Sequence, residues 1–516
     1  MIKQTEITIH PINIKNEKRI LIEAAKKIGV SESEITEVRI LRRSIDSRKK
    51  PVYRLRVEVY VGEKFIPKKE SMKFKPPTNK KAAIVGSGPA GLFAALRLLE
   101  AGIKPIIFER GKDVQARRLD LKKIQQEHFV NPDSNYCFGE GGAGTYSDGK
   151  LHTRSHKRGN VKRILEIFVE HGAQPEIEID AHPHIGSNVL PKVVENIRET
   201  IIANGGEIHF NSKVTDLIKK DDRIIGVKVN EKEILTDAVI IAAGHSARDV
   251  YQMLQNAGAL LEEKPFALGV RIEHPQKLID TIQYHGAERG EYLPAASYNL
   301  SCQVDGRGVY SFCMCPGGII IPAATSPDEL VLNGMSLSRR NSPFANAGLV
   351  VEVTERDWHK YKKNNELASV AYQAEVEKNA FEFGGGNQSA PAQRVTDFLK
   401  RRTSSTLPET SYIPGALSAP LHDLLPKGIA KRLVRSIYEF DKKMKGYLTG
   451  EALLLAVESR TSAPIRVVRD SKNLMSVSLN GLFPSGEGSG YAGGIVSAAI
   501  DGNRTAEALA QWIIEN

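Results

Sequence analysis

The chain has 516 residues, 41% hydrophobic and 26% charged, enough for two or three globular domains with a large buried core. No run approaches the roughly 18–20 apolar residues of a membrane span, and four cysteines are too few for a disulfide framework. The opening Met1-Ile-Lys-Gln-Thr-Glu lacks the apolar core of a signal peptide, so a cytoplasmic location is expected. The net charge of +11 is concentrated: residues 1–80 hold 20 basic against 10 acidic side chains, leaving 52 against 51 for the rest. That excess suits an RNA, an acidic protein, an anionic ligand, or a solvated basic face.

In chain order, residues 4–9 alternate as a strand, 16–28 carry helical spacing stopped by Gly29, and 34–41 and 52–61 alternate again. This predicts a small β-α-β-β module over 1–76. Arg42-Arg-Ser-Ile-Asp-Ser-Arg-Lys-Lys50 is its basic hairpin connection, and Lys75-Pro-Pro-Thr-Asn79 is a linker setting the module apart.

Next comes Ala82–Val85, a short apolar run of buried-strand length, and then Gly86-Ser-Gly88-Pro89-Ala90-Gly91. Gly86 permits a tight turn, Gly88 lets backbone approach a pyrophosphate, and Gly91 lets helix and strand pack closely. The helix that follows offers free N–H groups and a positive dipole end. A second strand, Pro105–Phe108, ends in Glu109, placed to accept from an adenosine ribose. Strand, glycines, helix, strand and acid in register predict a dinucleotide site.

A charged helix is expected over about 115–128, followed by the glycine-rich loop Asn135–Lys150, with aromatics among the glycines, suited to lie against a ring system. After a helix over 189–203 and short strands near 213–235, the apolar strand from Ala238 ends at Ala243-Gly244, a phosphate or ring edge. Ser246 is placed to cap the next helix. Strands dominate about 256–350, and helices are expected at about 362–383, 391–401 and 426–444. Gly486-Glu487-Gly488 and a last helix opening near Gly494 and Ile495 close the chain. The expected divisions are 1–76, 81–255, 256–455 and 456–516, the second and fourth forming one nucleotide domain.

Gly86-x-Gly88-x-x-Gly91 with Glu109, Gly141-Gly-Ala-Gly-Thr145, Ala242-Ala-Gly244 and Gly486-Glu-Gly488 resemble the two-dinucleotide-binding flavoproteins. Within them the chain is most similar to a group of bacterial FAD-dependent dehydrogenases, through Glu140–Lys150, Cys313-Met-Cys-Pro-Gly-Gly318, Glu458-Ser-Arg-Thr-Ser462 and Gly486–Ile495. The resemblance implies an α/β fold: a Rossmann-like FAD-binding domain, an inserted β-rich substrate domain and the small α+β N-terminal module. It implies FAD as cofactor, with Gly86, Gly88 and Gly91 at the pyrophosphate, Glu109 at the ribose, and Arg110 and Arg117 at the neighbouring polar edge. Val214 would offer backbone to adenine. Gly141, Gly142 and Thr145 would lie near the isoalloxazine, Gly486 and Glu487 at the ribityl chain, and the Gly493-Gly494 helix start at the flavin edge. The implied activity is electron transfer between a small-molecule substrate and flavin. The chain lacks a second Gly-x-Gly-x-x-Gly for NAD(P)H, which leaves the electron donor or acceptor open. An FAD-dependent tRNA-modifying enzyme and a non-catalytic flavin-binding or redox-sensing protein are the alternatives.

Glu140, Lys150, His245 and Arg460 are the candidate catalytic residues: Glu140, Lys150 and Arg460 as a proton donor and substrate anchors or as solvated loop charges, and His245 as a residue near the cofactor or a local cap. Cys313 and Cys315 are expected in a β core, Cys137 beside the glycine loop is the better thiol candidate, and His182-Pro-His184 reads as a loop without a third metal ligand.

Overall fold

A computed structural model describes residues 1–66, 71–153 and 157–516. The N-terminal module consists of β1 (Ile2–Ile9), α1 (Glu17–Ile28), β2 (Ile35–Asp46) and β3 (Val52–Val61), with β3 central in an antiparallel sheet. Asn16 caps α1 through its side chain, and Gly29 ends it in the left-handed region.

The nucleotide domain is built on a parallel five-stranded sheet. Its core is β4 (Lys81–Val85), α2 (Pro89–Ala101) and β5 (Lys104–Phe108). Then follow α3 (Val114–Glu127), α4 (Val161–Glu170), α5 (Leu190–Ala203), β6 (Glu207–His209), the meander β7 (Val214–Lys220), β8 (Arg223–Val229) and β9 (Lys232–Leu235), and β10 (Ala238–Ile241) with α6 (Arg248–Ala257). The sheet order is Leu482–Pro484, β10, β4, β5, β6, so its edge strand comes from the far end of the chain. The final helix, Ile495–Glu515, packs on α2 so closely that a Cβ on Gly502 would lie 2.0 Å from the Ala90 carbonyl oxygen. Strands between Phe266 and Glu458 form a second body around a seven-stranded sheet with Phe266–Pro275 central, while Leu261–Glu263 pairs with Ile465–Val467 in a small sheet packed on the nucleotide domain.

Three local expectations change. Residues 390–394 form a strand, not a helix. They pair antiparallel with Leu453–Glu458 and parallel with Ala416–Ser418 and are buried on both faces, so tertiary pairing overrides local periodicity. A short helix, Val395–Leu399, follows. Strand β2 runs on through Arg42 and Arg43, leaving a shorter connection.

The third change concerns the module's independence. Its core residues Ile9, Leu55 and Val57 belong to the same apolar cluster as Phe266, Val270 and Leu349 of the large sheet. The Tyr53 hydroxyl donates to the Tyr292 carbonyl (2.7 Å), and Arg43 forms a two-point ion pair with Asp180 (2.6 and 3.0 Å). The Arg43 backbone also exchanges bonds with Ile179 and Ala181. The segment expected as a linker is tied to α2: Lys75 N–H donates to Leu99 and Thr78 N–H to Gly102. A chain starting at Asn79 exposes this shared core and is expected to aggregate. Arg42→Glu with Lys49→Glu, both at exposed positions, is expected to hold the melting temperature within about 2 °C. Size-exclusion chromatography and thermal melts check both; a monodisperse truncated chain overturns the shared-core account.

Candidate functional site

The turn from β4 to α2 sets the site. Gly86 has φ +102°, and a Cβ there would sit 2.6 Å from the Ala242 carbonyl oxygen; at Gly91 it would meet the Gly86 oxygen at 2.0 Å. Gly88 differs: a Cβ would meet nothing within 4 Å, because Gly88 faces a cavity. Gly244, Gly493 and Gly494 also border open space, and all three line this cavity of about 310 Å³. Pro89 fills the first helical position of α2, where no N–H is needed, and Ala90 follows. Ile495 opens the C-terminal helix on the same cavity. Two helix N-termini and a floor of glycine backbone therefore face one space, the donor set that suits a dinucleotide's phosphates and flat ring.

Glu109 lines the cavity with its carboxylate already held. Its oxygens accept from the Ser87 N–H (3.0 Å) and hydroxyl (2.8 Å), the Gly111 N–H (2.9 Å) and the Gly139 N–H (3.0 Å). It joins the glycine turn to the glycine-rich loop, so any ribose contact shares an occupied carboxylate. Arg110 also lines the cavity, stacked 4.5 Å over Phe138 and ion-paired to Asp249. Val214, Ala243, Gly142 and the half-buried Glu487 complete the expected lining; burial pushes the Glu487 carboxyl up to about 7.

Other expected contacts lie behind the wall. Arg117 is fully buried and donates to the carbonyls of Asn135 (2.8 Å), Glu140 (2.9 Å) and Gly142 (3.0 Å), shaping the loop from beneath instead of reaching the cavity. Gly141 and Thr145 share that inner layer; the Thr145 hydroxyl donates to the Glu140 carbonyl. Gly486 donates its N–H to Asp501 (2.8 Å). Glu140 does not reach the cavity either: its carboxylate accepts from the Val114 N–H and from Arg198, both at 2.8 Å. Burial raises its pKa to about 7.

Lys150, His245 and Arg460 do meet at the cavity. Lys150 Nζ lies 3.5 Å from Asp148 and 3.8 Å from Cys315 Sγ. Burial opposes its charge, yet Cys315 and Asp148 hold its pKa above the ordinary lysine value. Asp148 is fixed in turn by Ser336 and Arg340. The Ser246 hydroxyl bonds the His245 Nδ1 (2.9 Å) and reaches Cys137 (3.4 Å), and it does not cap α6. Arg460 donates to Glu377 (3.1 and 2.8 Å), Glu329 (2.5 Å) and Thr325 (2.8 Å), while Arg248 braces the same two carboxylates.

Cys315 is buried as expected, its thiol pushed up to about 11 by burial, but Cys313 is exposed on the cavity wall. A bulge between Phe312 and Cys315 puts Cys313 at φ +46°. Its carbonyl accepts from buried Arg271 (2.9 Å), which pairs with Glu458 (2.8 Å) and bonds the Asn346 side-chain oxygen. Sequence reasoning missed this support, although an arginine, an asparagine and a glutamate inside three apolar strands were the available signal.

Acid should loosen the assembly. Burial first, then Arg460 and Arg248, lower His245 from 6.5 to about 4, and burial lowers His274 to about 4. Burial opposes ionisation of Glu329, but Arg460, Arg248 and Thr325 overcome it and hold the carboxyl at about 2. In each case the unfolded chain binds more protons, so stability falls with pH: from about 6.5 to 4 for the histidines, and from 4.5 to 2 for Glu329. Glu140 and Glu487, both raised to about 7, run the other way between about 7 and 4.5, so melting temperatures should decline chiefly below 4.5. His245→Asn combined with His274→Gln should gain stability relative to the wild type as pH falls from 6.5 to 4. An unchanged slope in the double variant contradicts this.

Comparison with known proteins follows the same lines. Residues 265–461 match the model of the FAD-dependent protein C-terminal domain-like family, 80–249 that of pyridine nucleotide-disulphide oxidoreductases, and 190–336 that of FAD dependent oxidoreductases. Residues 1–60 match a domain of unknown function. An uncharacterized protein of Clostridium beijerinckii is 42% identical over 504 residues, 93% of this chain and 94% of that one. A thiamine thiazole synthase of Pyrococcus horikoshii is 26% identical over 208 residues, 38% of this chain and 69% of that one. Among solved structures, the flavin-dependent brominase Bmp2 aligns over 84% of this chain and 79% of its own, with 13% identity and a TM-score of 0.37. The chain belongs to the family of the Clostridium protein and is an FAD-dependent oxidoreductase, with FAD as its cofactor.

Proposed function

We propose that the chain is a dehydrogenase or reductase for a small acidic substrate, with Lys150 as proton donor and Arg460 as anion anchor. The observation that carries this reading is the pair of fixed cations, Lys150 and Arg460, in the lining of the cavity that also holds the glycine floor. When bound, FAD supplies two-electron transfer. The start of α2 with Gly88 would hold the pyrophosphate, and the Gly493-Gly494 helix start would hold the flavin edge. Lys150, protonated at neutral pH, would give up the proton that reduction of the substrate requires and take it back in the reverse direction, while Arg460, fixed by two carboxylates, holds an acidic group still. His245, neutral at pH 7, contributes a hydrogen bond without adding charge.

The electron partner shares this cavity, since the chain carries one nucleotide fingerprint. The basic excess of residues 1–80 leaves Arg42, Lys49 and Lys50 exposed, whereas Arg43 pairs with Asp180 and Arg54 with Glu6 and Asp46. Salt-dependent retention on RNA tests whether those exposed cations serve an RNA partner.

Purified protein should be yellow and release FAD, not FMN, on denaturation. Gly88→Val should purify colourless, because the branched side chain enters the pyrophosphate's space. Anaerobic screening of NADH and NADPH for flavin bleaching, then of 2-oxo and unsaturated carboxylates for reoxidation, tests the substrate class. Lys150→Met should lower kcat by about 10²- to 10⁴-fold. Reoxidation by neutral acceptors alone, or an undiminished kcat, overturns the reading.

A further inference from the structure

We infer that Glu377 is a positioning residue for substrate capture: it fixes the Arg460 guanidinium so that one N–H is left for an acidic group in the flavin cavity. The inference rests on the acidic-substrate reading and names the residue through which Arg460 acts. A guanidinium has five N–H donors in a rigid fork. In Arg460, Nε and one Nη2 hydrogen go to Glu377, the other Nη2 hydrogen goes to Glu329, and one Nη1 hydrogen goes to Thr325. One Nη1 hydrogen remains, on a side chain only 5% exposed that nevertheless lines the cavity.

Glu377 is the hub. Fully buried on the helix Ala368–Phe383, it binds Arg460 at two points and also accepts from Arg248 Nη2 (2.6 Å) and the Ser459 hydroxyl (2.6 Å). The Ser459 bond ties the carboxylate to the residue preceding Arg460, so backbone and guanidinium are located by one group. Two arginines and two carboxylates make the cluster neutral, and a buried cluster of this kind gains little stability over well-packed apolar side chains. A positioning role accounts for keeping the charges beside a ligand cavity.

Charge and position give opposite signs for one substitution. Glu377→Gln removes a negative charge next to Arg460. If Glu377 acted only on the local potential, anions would bind more tightly; if it positions Arg460, anions bind more weakly although the site becomes more positive. The probe is malonate titrated into oxidised, FAD-loaded enzyme, read by the flavin absorbance difference spectrum, with malonamide as the uncharged control. The wild type should give a saturable change with malonate and none with malonamide. Glu377→Gln should raise the malonate Kd at least tenfold with FAD content unchanged, and Glu377→Asp should fall between the two.

Unchanged or tighter malonate binding in Glu377→Gln, with Arg460→Ala losing it, overturns the positioning role and leaves the acidic-substrate reading standing. A wild type silent to malonate overturns that reading and this inference together. Should Glu377→Gln fail to retain FAD, Glu377→Asp decides alone: at least threefold weaker malonate binding supports positioning, and wild-type affinity overturns it.

Discussion

Four donors converge on the carboxylate of Glu109, and the nucleotide site depends on that convergence. Two come from Ser87 in the first glycine turn, one from Gly111 after β5, and one from Gly139 in the glycine-rich loop. Hydrogen bonds to an ionised acceptor are roughly twice as strong as neutral ones, and a buried carboxylate deprived of them is costly. The three segments are distant in sequence, and the glycine-rich loop has little regular secondary structure of its own. Held at one point from each, they form a continuous floor. Arg117 does the complementary work from below, gathering the loop's carbonyls. A negative centre collects the N–H groups, a positive centre collects the C=O groups, and the glycine backbone between them is left free of side chains to meet a ligand.

The wall facing that floor uses a different device. Its charged residues sit in compact, internally balanced groups: Arg271 with Glu458, and Arg248 and Arg460 with Glu329 and Glu377. Each group links segments that the chain order separates. Arg248 opens α6 of the nucleotide domain, while Glu329 and Glu377 belong to the inserted body. Rigidity between the two bodies and precision at the cavity therefore come from the same bonds. The Cys313 bulge follows the same logic, since its carbonyl is clamped by Arg271 from within the sheet.

The nucleotide domain was legible because its constraints are local. Gly86, Gly88 and Gly91 answer to a turn, a ligand and a packing contact within six residues, and Glu109 ends the next strand. Features set by distant partners were not legible. Nothing near Glu377 in the sequence announces Arg460, 83 positions later. The N-terminal module looked separate because charge changes abruptly at residue 80, yet charge describes its outer surface while Leu55 and Val57 describe its inner one. Arg117 and Glu140 were placed near the cofactor by motif; the structure sets them one layer back, where they hold the residues that do line the cavity. Residues 390–394 read as helix because a strand buried on both faces carries no alternation.

Charge balance in the cavity bears on how an electron pair is accommodated there. The Arg460 cluster is neutral, so it offers direction at short range and little field at long range. Lys150, in the lining, and Arg340, behind it, both pair with the single carboxylate of Asp148, leaving one positive charge in excess. Glu487, pushed up to about 7, adds little negative charge below neutrality. The start of the C-terminal helix contributes a further partial positive charge. Against these stands the Glu109 carboxylate, which lines the same cavity, so compensation for negative charge entering with two electrons would be local to Lys150 and the helix start. Since residues beyond 80 are almost neutral overall, this polarity comes from the placement of a few side chains rather than from net charge.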